Sequence, residues 1–176
     1  MPIPEFIVET RKKIGHDPMW LPAVTAVVLR DSTDDSPWAV PEVLLVKRSD
    51  NGQWTPITGI CDPGEEAHVT AVRETEEETT IKTKPAALLG VGAVGPVVHA
   101  NGDQASYMSI ALRLEVDGDP FQEPAVGDDE SVEVGWFSIA HMPVTNPKWR
   151  LVIADAAAQR KHPKAFTPRM GFEKRN

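Results

Sequence analysis

The run Gly59-Ile60-Cys61-Asp62-Pro63-Gly64-Glu65-Glu66, continued through Arg73-Glu74-Thr75-Glu76-Glu77-Glu78, decides how the rest of the sequence reads. Glu66 to Thr79 contains no Gly or Pro and reads as a helix that follows a glycine-bounded loop. Each helical residue advances about 100°, so Glu74, Glu77 and Glu78 share one face within an arc of roughly 100°, while Glu76 points away. Like charges so placed oppose helix formation by about 0.2–0.5 kcal/mol per pair. They also crowd the helix C-terminus, where the dipole disfavours anions. A hard cation on that face makes sense of the arrangement, and Mg²⁺ pairs naturally with carboxylates and substrate phosphates. Glycine lets the Gly59–Gly64 loop turn sharply enough to bring a backbone carbonyl to the same face. Arg73 stands beside Glu77 at i, i+4 and reaches back to Glu65, so its guanidinium can orient carboxylates.

Outward from this segment, Gln53 to Gly59 reads as short and extended. Ala23–Leu29 and Val43–Val46 are apolar and β-rich, joined by the polar stretch Asp31–Pro37. Ala87–Val98 and Ala105–Val116 read as strands, with Asn101-Gly102 between them as a hairpin turn. Val132–Ile139 is a further strand. Pro4–Ile14 reads as a short helix stopped at Gly15, and Pro147–Gln159 as another, capped by Asn146. This order predicts an α/β domain in which helices cover a mixed sheet.

The chain has 176 residues, enough for one domain that buries roughly 70% of its unfolded surface. Its single cysteine, Cys61, excludes an internal disulfide and a cysteine zinc cluster, and reads as incidental. No apolar run approaches the ~20 residues of a bilayer span. Met1–Trp20 lacks the basic-then-apolar layout of a signal peptide. The expectation is a cytoplasmic protein without a membrane partner. The net charge of −8 is unevenly spread. Asp62–Glu78 holds seven acids against Arg73 alone, and Glu115–Glu133 holds eight acids and no Lys or Arg. Arg160–Asn176 carries six bases and one acid, a basic end that reads as solvated or as a subunit contact. The acidic balance speaks against duplex nucleic acid as a partner. A GxSxG elbow, a GK[ST] phosphate loop and an HExxH zinc motif are all missing.

At Gly59, Glu65, Arg73, Glu74, Glu77, Glu78 and Ile81 the sequence resembles the box of the Nudix (MutT-like) hydrolase family in a single register. Trp54 and Pro56 match the segment leading into the box. Glu130-Ser131-Val132-Glu133-Val134-Gly135-Trp136-Phe137 resembles the acidic loop and strand that follow it. Three positions depart from the pattern. Thr75 replaces an aliphatic residue, Thr58 stands where members often have a second glycine, and Thr80 replaces the glycine that closes the box. A β-branched residue resists the left-handed exit that glycine allows, so the helix is expected to leave differently here.

The resemblance implies an α/β/α sandwich built on a mixed β-sheet, flanked by a short N-terminal helix and by a C-terminal helix and tail. The expected organisation is an N-terminal helical extension at 1–20, a Nudix domain at 21–160 and a basic tail at 161–176. The implied activity is metal-dependent hydrolysis of a nucleoside diphosphate linked to another moiety, such as ADP-ribose or another nucleotide sugar, or of a nucleoside triphosphate. The implied metal ligands are Glu74, Glu77 and Glu78 with the Gly59 carbonyl, for Mg²⁺ or Mn²⁺. Glu65 and Arg73 are orienting residues. The general base comes from the box, as Glu77, or from the later loop, where Glu130 stands ahead of Asp129 and Glu133. Arg48 is a candidate for holding a phosphate, and Trp54, Tyr107 and Trp136 for stacking a base, although aromatics on strands more often build cores. His99 and His141 read as turn residues. The partner is thus a small nucleotide, with a homodimer possible through the extensions. A nucleotide sensor without activity is the alternative, and an interaction scaffold a third class. The complete acidic set favours the enzyme.

Overall fold

The computed structural model describes residues 3–172. The chain runs α1 (Glu5–Ile14), β1 (Met19–Arg30), β2 (Glu42–Arg48), β3 (Trp54–Thr55), β4 (Ile57–Ile60), α2 (Ala67–Thr79), β5 (Thr83–Val98), β6 (Gln104–Val116), β7 (Ser131–Ser138), α3 (Pro147–Lys161) and β8 (Arg169–Met170). The strands form one eight-stranded mixed sheet in the order β3-β2-β1-β6-β5-β8, with β4 paired to β1 and β7 to β2. β1 runs parallel to β6, and β8 parallel to β5; the other pairings are antiparallel. The expected helix-covered mixed sheet is what forms.

β1 shows why the layers stack as they do. Val24 to Arg30 are all buried, the mark of a strand covered on both faces. Val24, Ala26 and Val28 point into a core with Ala71 of α2, Leu44, Ile57 and Leu114. Val27 and Leu29 point the other way, into a core with Val152, Ile153 and Ala156 of α3. Leu21, also on that second face, packs with Ile7 of α1 and Ala105. Thus α2 covers one face of the sheet, and α1 and α3 share the other.

Several elements differ in extent from the sequence reading. β1 begins at Met19 rather than Ala23, because Pro22 sits in a parallel pairing with β6 and its carbonyl accepts from Cys61 N–H at 3.1 Å. Pro4 caps α1 from outside, and Gly15 ends it at φ 60°. Asn146 caps α3 by accepting from Lys148 N–H at 2.9 Å. β5 starts four residues earlier than read, and irregular pairing carries it past Pro85. β8 adds an edge strand where a basic tail was expected, and Arg169 grips Asp155 of α3 through two hydrogen bonds of 2.8 and 2.9 Å. Arg160 pairs with Asp31 at 2.8 Å. Lys161 and Lys164 are exposed, and Glu173, Lys174 and Arg175 lie outside the described residues.

The largest correction concerns Thr80. It adopts φ 62° and ψ 3°, the left-handed cap that the closing glycine was expected to be needed for, and donates its backbone N–H to Glu76 O. Among the described residues it is the only non-glycine at positive φ. The helix therefore leaves along the ordinary route despite the β-branched side chain. The following loop holds it there, since Ala125 N–H bonds both Thr79 O at 3.1 Å and Thr80 Oγ1 at 3.3 Å.

Candidate active site

α2 carries the acidic face on a scaffold adapted to burial. Ala71, Thr70, Thr75 and Thr79 are fully buried, and the last two threonines return their hydroxyls to the helix, Thr75 to Ala71 O at 2.7 Å and Thr79 to Thr75 O at 2.6 Å. Thr75 thus replaces an aliphatic without leaving an unpaired hydroxyl. Glu74 and Glu78 are 5% and 4% exposed, while Glu76 faces solvent as read.

Arg73 is the organising cation. Its Nε and one terminal nitrogen hold Glu65 through two bonds of 2.9 Å, and Nη1 donates to Glu74 at 3.0 Å and Glu77 at 3.1 Å. Glu65 also accepts from Thr70 Oγ1 at 2.8 Å and from Asp62 N–H at 3.3 Å. The Arg73 guanidinium, ahead of these lesser donors, lowers the Glu65 carboxyl to about 2. The pairing that fixes the loop before α2 is therefore ionised across the ordinary pH range.

Glu74 and Glu78 respond in the opposite sense. Burial pushes Glu74 up to about 7, outweighing Arg73 beside it, and Glu77 and Glu130 add repulsion. Burial pushes Glu78 up to about 8, with Glu130, Asp128 and Glu74 contributing repulsion against the stabilising Ser131 hydroxyl. Glu74 shares the one Arg73 guanidinium with Glu65 and Glu77, and Glu78 is bonded to the neutral Ser131 hydroxyl, so the acids outnumber the cation among them and a hard cation would supply the balance. Gly59 supports the same reading. A Cβ built there would lie 2.2 Å from Glu74 Cδ, so only glycine lets this carboxylate close on the β4 backbone. The oxygen-only donors suit Mg²⁺ or Mn²⁺. Among the described residues no three His, Cys, Asp or Glu side chains are already gathered as a metal cage. Arg73 bridges Glu74 and Glu77, and Glu77 is the more exposed of the three, at 40% of its side chain.

The later acidic loop meets α2 at its C-terminus. Gly127 N–H bonds Glu78 O at 3.1 Å, and a Cβ at Gly127 would sit 1.9 Å from Glu77 O. Glu130 O accepts from Ser49 N–H at 2.8 Å, and Glu130 N–H donates to Asp128 Oδ1 at 3.0 Å. Ser131 Oγ donates to Glu78 Oε2 at 3.0 Å, with both residues buried. The structure thus sets Glu130 within electrostatic reach of Glu74 and Glu78. It also adds Asp128, Gly127 and Ser131, which the sequence reading had not singled out for roles. The acidic run was visible, but no spacing rule links Ser131 to a glutamate 53 positions away. Glu133 pairs with Lys47 across β2 and β7 at 2.5 Å.

Arg48 ends β2 near these acids. It is bonded bidentately to Asp50 at 2.9 and 2.8 Å, and its raised pKa reflects first Asp50, with Glu78 and Glu130 further off. Trp54 packs edge-on against Phe137, 4.7 Å between ring centroids, at the border of the α3-side core. Trp136 lies under the Arg30 guanidinium at 4.3 Å and donates to Gln122 O at 3.2 Å. Tyr107 Oη is hydrogen-bonded to His99 Nε2 at 2.8 Å. His141 is exposed after β7. Cys61 is buried in the α2-side core, and burial pushes its thiol up. No helix among the described residues is long and apolar enough to cross a membrane.

Solved structures share this architecture. A UDP-X diphosphatase matches with TM-score 0.58 and 20% identity, covering 94% of this chain and 73% of its own. An ADP-ribose pyrophosphatase from Streptococcus suis matches with TM-score 0.55 and 16% identity over 86% of this chain and 97% of its own. An Ap4A hydrolase from C. elegans matches with TM-score 0.56 and 21% identity over 80% and 98%. At such identities the likeness speaks for the fold. No curated protein matches the sequence significantly. A family model described as NUDIX domain matches residues 19–158, from the first strand into the last helix and through every carboxylate of the site, and the chain belongs to the NUDIX family.

Proposed function

We propose that this Nudix hydrolase cleaves a phosphoric anhydride bond in a nucleoside diphosphate linked to a second moiety. One observation carries the reading: buried Glu74, held by Arg73, and buried Glu78, held by Ser131, lie on one face of α2 within electrostatic reach of Glu130 from the later loop. The neighbours of the same fold include a UDP-X diphosphatase, an ADP-ribose pyrophosphatase and an Ap4A hydrolase, and each of those compounds fits that substrate class.

Glu74, Glu77 and Glu78, with the Gly59 carbonyl, would hold Mg²⁺ or Mn²⁺. When bound, the ion offsets phosphate charge and lowers the pKa of a water. The chain's residues do the rest. Arg73 fixes Glu74 and Glu77 and ties them to Glu65, so two acidic groups keep one orientation. Ser131 fixes Glu78 from the other side. Glu130, anchored by Ser49, accepts the proton of the attacking water at its carboxylate, with Glu77 as the candidate from the box. Arg48 exchanges Asp50 for a phosphate oxygen pair, a trade its planar fork suits.

The test is a panel of nucleotide sugars, dinucleoside polyphosphates and nucleoside triphosphates with Mg²⁺, comparing wild type with Glu78→Gln. Hydrolysis of one class, reduced at least about a hundredfold in the variant, is the expected result. A wild type that binds a nucleotide and hydrolyses none would replace this reading with the nucleotide sensor.

A further inference from the structure

We propose that the α2-side face of the large sheet, beyond the end of α2, is a contact surface for a second copy of this chain. Cross-strand register fixes which side chains share that face. Met108 on β6 stands opposite Ala93 on β5 and Pro22 on β1, and Ile110 opposite Val91, which in turn pairs with Met170 on β8. Leu88 stands opposite Leu112, Trp20 beside Ser106, and Val98 opposite Gln104. Leu112 and Val24 belong to the core under α2, which assigns the whole set to α2's side.

α2 does not cover this end. Trp20, Leu88, Val91, Val98, Met108 and Met170 are exposed by 57, 42, 36, 69, 37 and 85%. They are six of the thirteen large apolar side chains exposed among the described residues, and they gather on one face of three long strands and a short edge strand. Together they present roughly 600 Å², the upper end of the range for the largest apolar patch of a typical monomer and most of the ~800 Å² per partner of a standard interface.

Charge identifies the occupant. On this face β6 presents Gln104, Ser106, Met108, Ile110, Leu112, Leu114 and no charge, and β5 carries no charged residue from Pro85 to Val98. A chain of net charge −8 meets its own copy with least repulsion where charge is missing. A flat apolar sheet face also complements itself across a two-fold axis, the commonest form of soluble oligomer. Among the described residues this face presents no cation that would draw an anionic membrane or nucleic acid. The described ends lie on the other side: α1 packs with Leu21 and Ala105, and Phe172 lies against Gly92 in the α3-side core. This places the contact away from the N-terminal helix, and of the expected tail only Met170 takes part.

The experiment is sedimentation velocity of the full chain from about 1 to 100 μM, for wild type, Met108→Lys, Met170→Glu and the control Trp38→Ser on the loop between β1 and β2. Wild type and control should sediment at twice the chain mass of 19.3 kDa. The two face variants should shift to monomer, or raise the dissociation constant at least tenfold. Met170 is largely exposed, so its substitution leaves the core intact, and circular dichroism checks both folds. A wild type that stays monomeric at the highest concentration overturns the proposal. So do face variants that keep the dimer, and so does a monomer that co-sediments with neutral phosphatidylcholine vesicles, which would give the face to a membrane.

Discussion

Replacing Gly127 by alanine tests whether the later loop is part of the site. A Cβ at this position would lie 1.9 Å from Glu77 O and 3.0 Å from Glu77 C, both backbone atoms of α2. Real contacts of this kind do not fall below 3.0 Å, so the loop or the helix end must retreat by at least 1.1 Å. The helix cannot yield, because its last turn is bonded internally and Glu74 and Glu78 are buried on it. The loop therefore moves, and the bond from Gly127 N–H to Glu78 O breaks. A strained insertion costs about 1–3 kcal/mol, which lowers Tm by about 4–8 °C near the middle of that range. The retreat carries Asp128, Glu130 and Ser131 with it, and a misplacement of ~1 Å can cost about a hundredfold in rate. The expected variant is thus folded, melts several degrees early, and hydrolyses its substrate about 10–100-fold more slowly with most of the loss in kcat. Differential scanning calorimetry and steady-state kinetics read both quantities. A Gly127→Ala protein with wild-type Tm and kcat would show that the loop is not seated on α2 in the working enzyme.

Three further outcomes follow from the same geometry. Thr80→Gly removes a left-handed β-branched residue, a gain of about 1–2 kcal/mol, against about 0.5–1 kcal/mol of added backbone entropy; Tm should rise by about 1–3 °C, and a fall of that size in calorimetry refutes the strain. Ser131→Ala leaves Glu78 Oε2 without its buried donor; Mn²⁺ binding measured by electron paramagnetic resonance should weaken about tenfold, with Ser131→Thr recovering most of it, and unchanged affinity would make the serine merely structural. Glu65 is depressed to about 2, so its contribution to stability is complete above its ordinary 4.5 and is lost as pH falls from there towards 2. The difference in urea-unfolding free energy between wild type and Glu65→Gln should therefore shrink by about 2–3 kcal/mol over that window, and a pH-independent difference would remove Arg73 as the cause.

What was legible in the sequence was whatever local spacing controls. The i, i+3, i+4 glutamates and the arginine one residue before them announce their helix and its cation, because 3.6-residue periodicity converts spacing into direction. The hairpin at Asn101-Gly102 and the Asn146 cap are equally local, and both form. The reading stops where partners are distant. Pro22 and Pro85 look like strand breakers, yet pairing with β6 carries both strands through them. The two residues of β8 have no pattern of their own and become a strand only against β5. Thr80 is the instructive failure. Local preference forbids its left-handed cap, and the docked loop enforces it by bonding Thr79 O and Thr80 Oγ1 from Ala125 and Glu78 O from Gly127. The bonds that overrule the threonine's preference are the same ones that bring Asp128, Glu130 and Ser131 to Glu78. The strain at the helix exit and the assembly of the acidic site are therefore one event. Thr80→Gly relieves the first at the loss of the Thr80 Oγ1 bond alone, and the Ala125 bond to Thr79 O and the Gly127 bond to Glu78 O should still seat the loop, whereas displacing the loop at Gly127 should undo both.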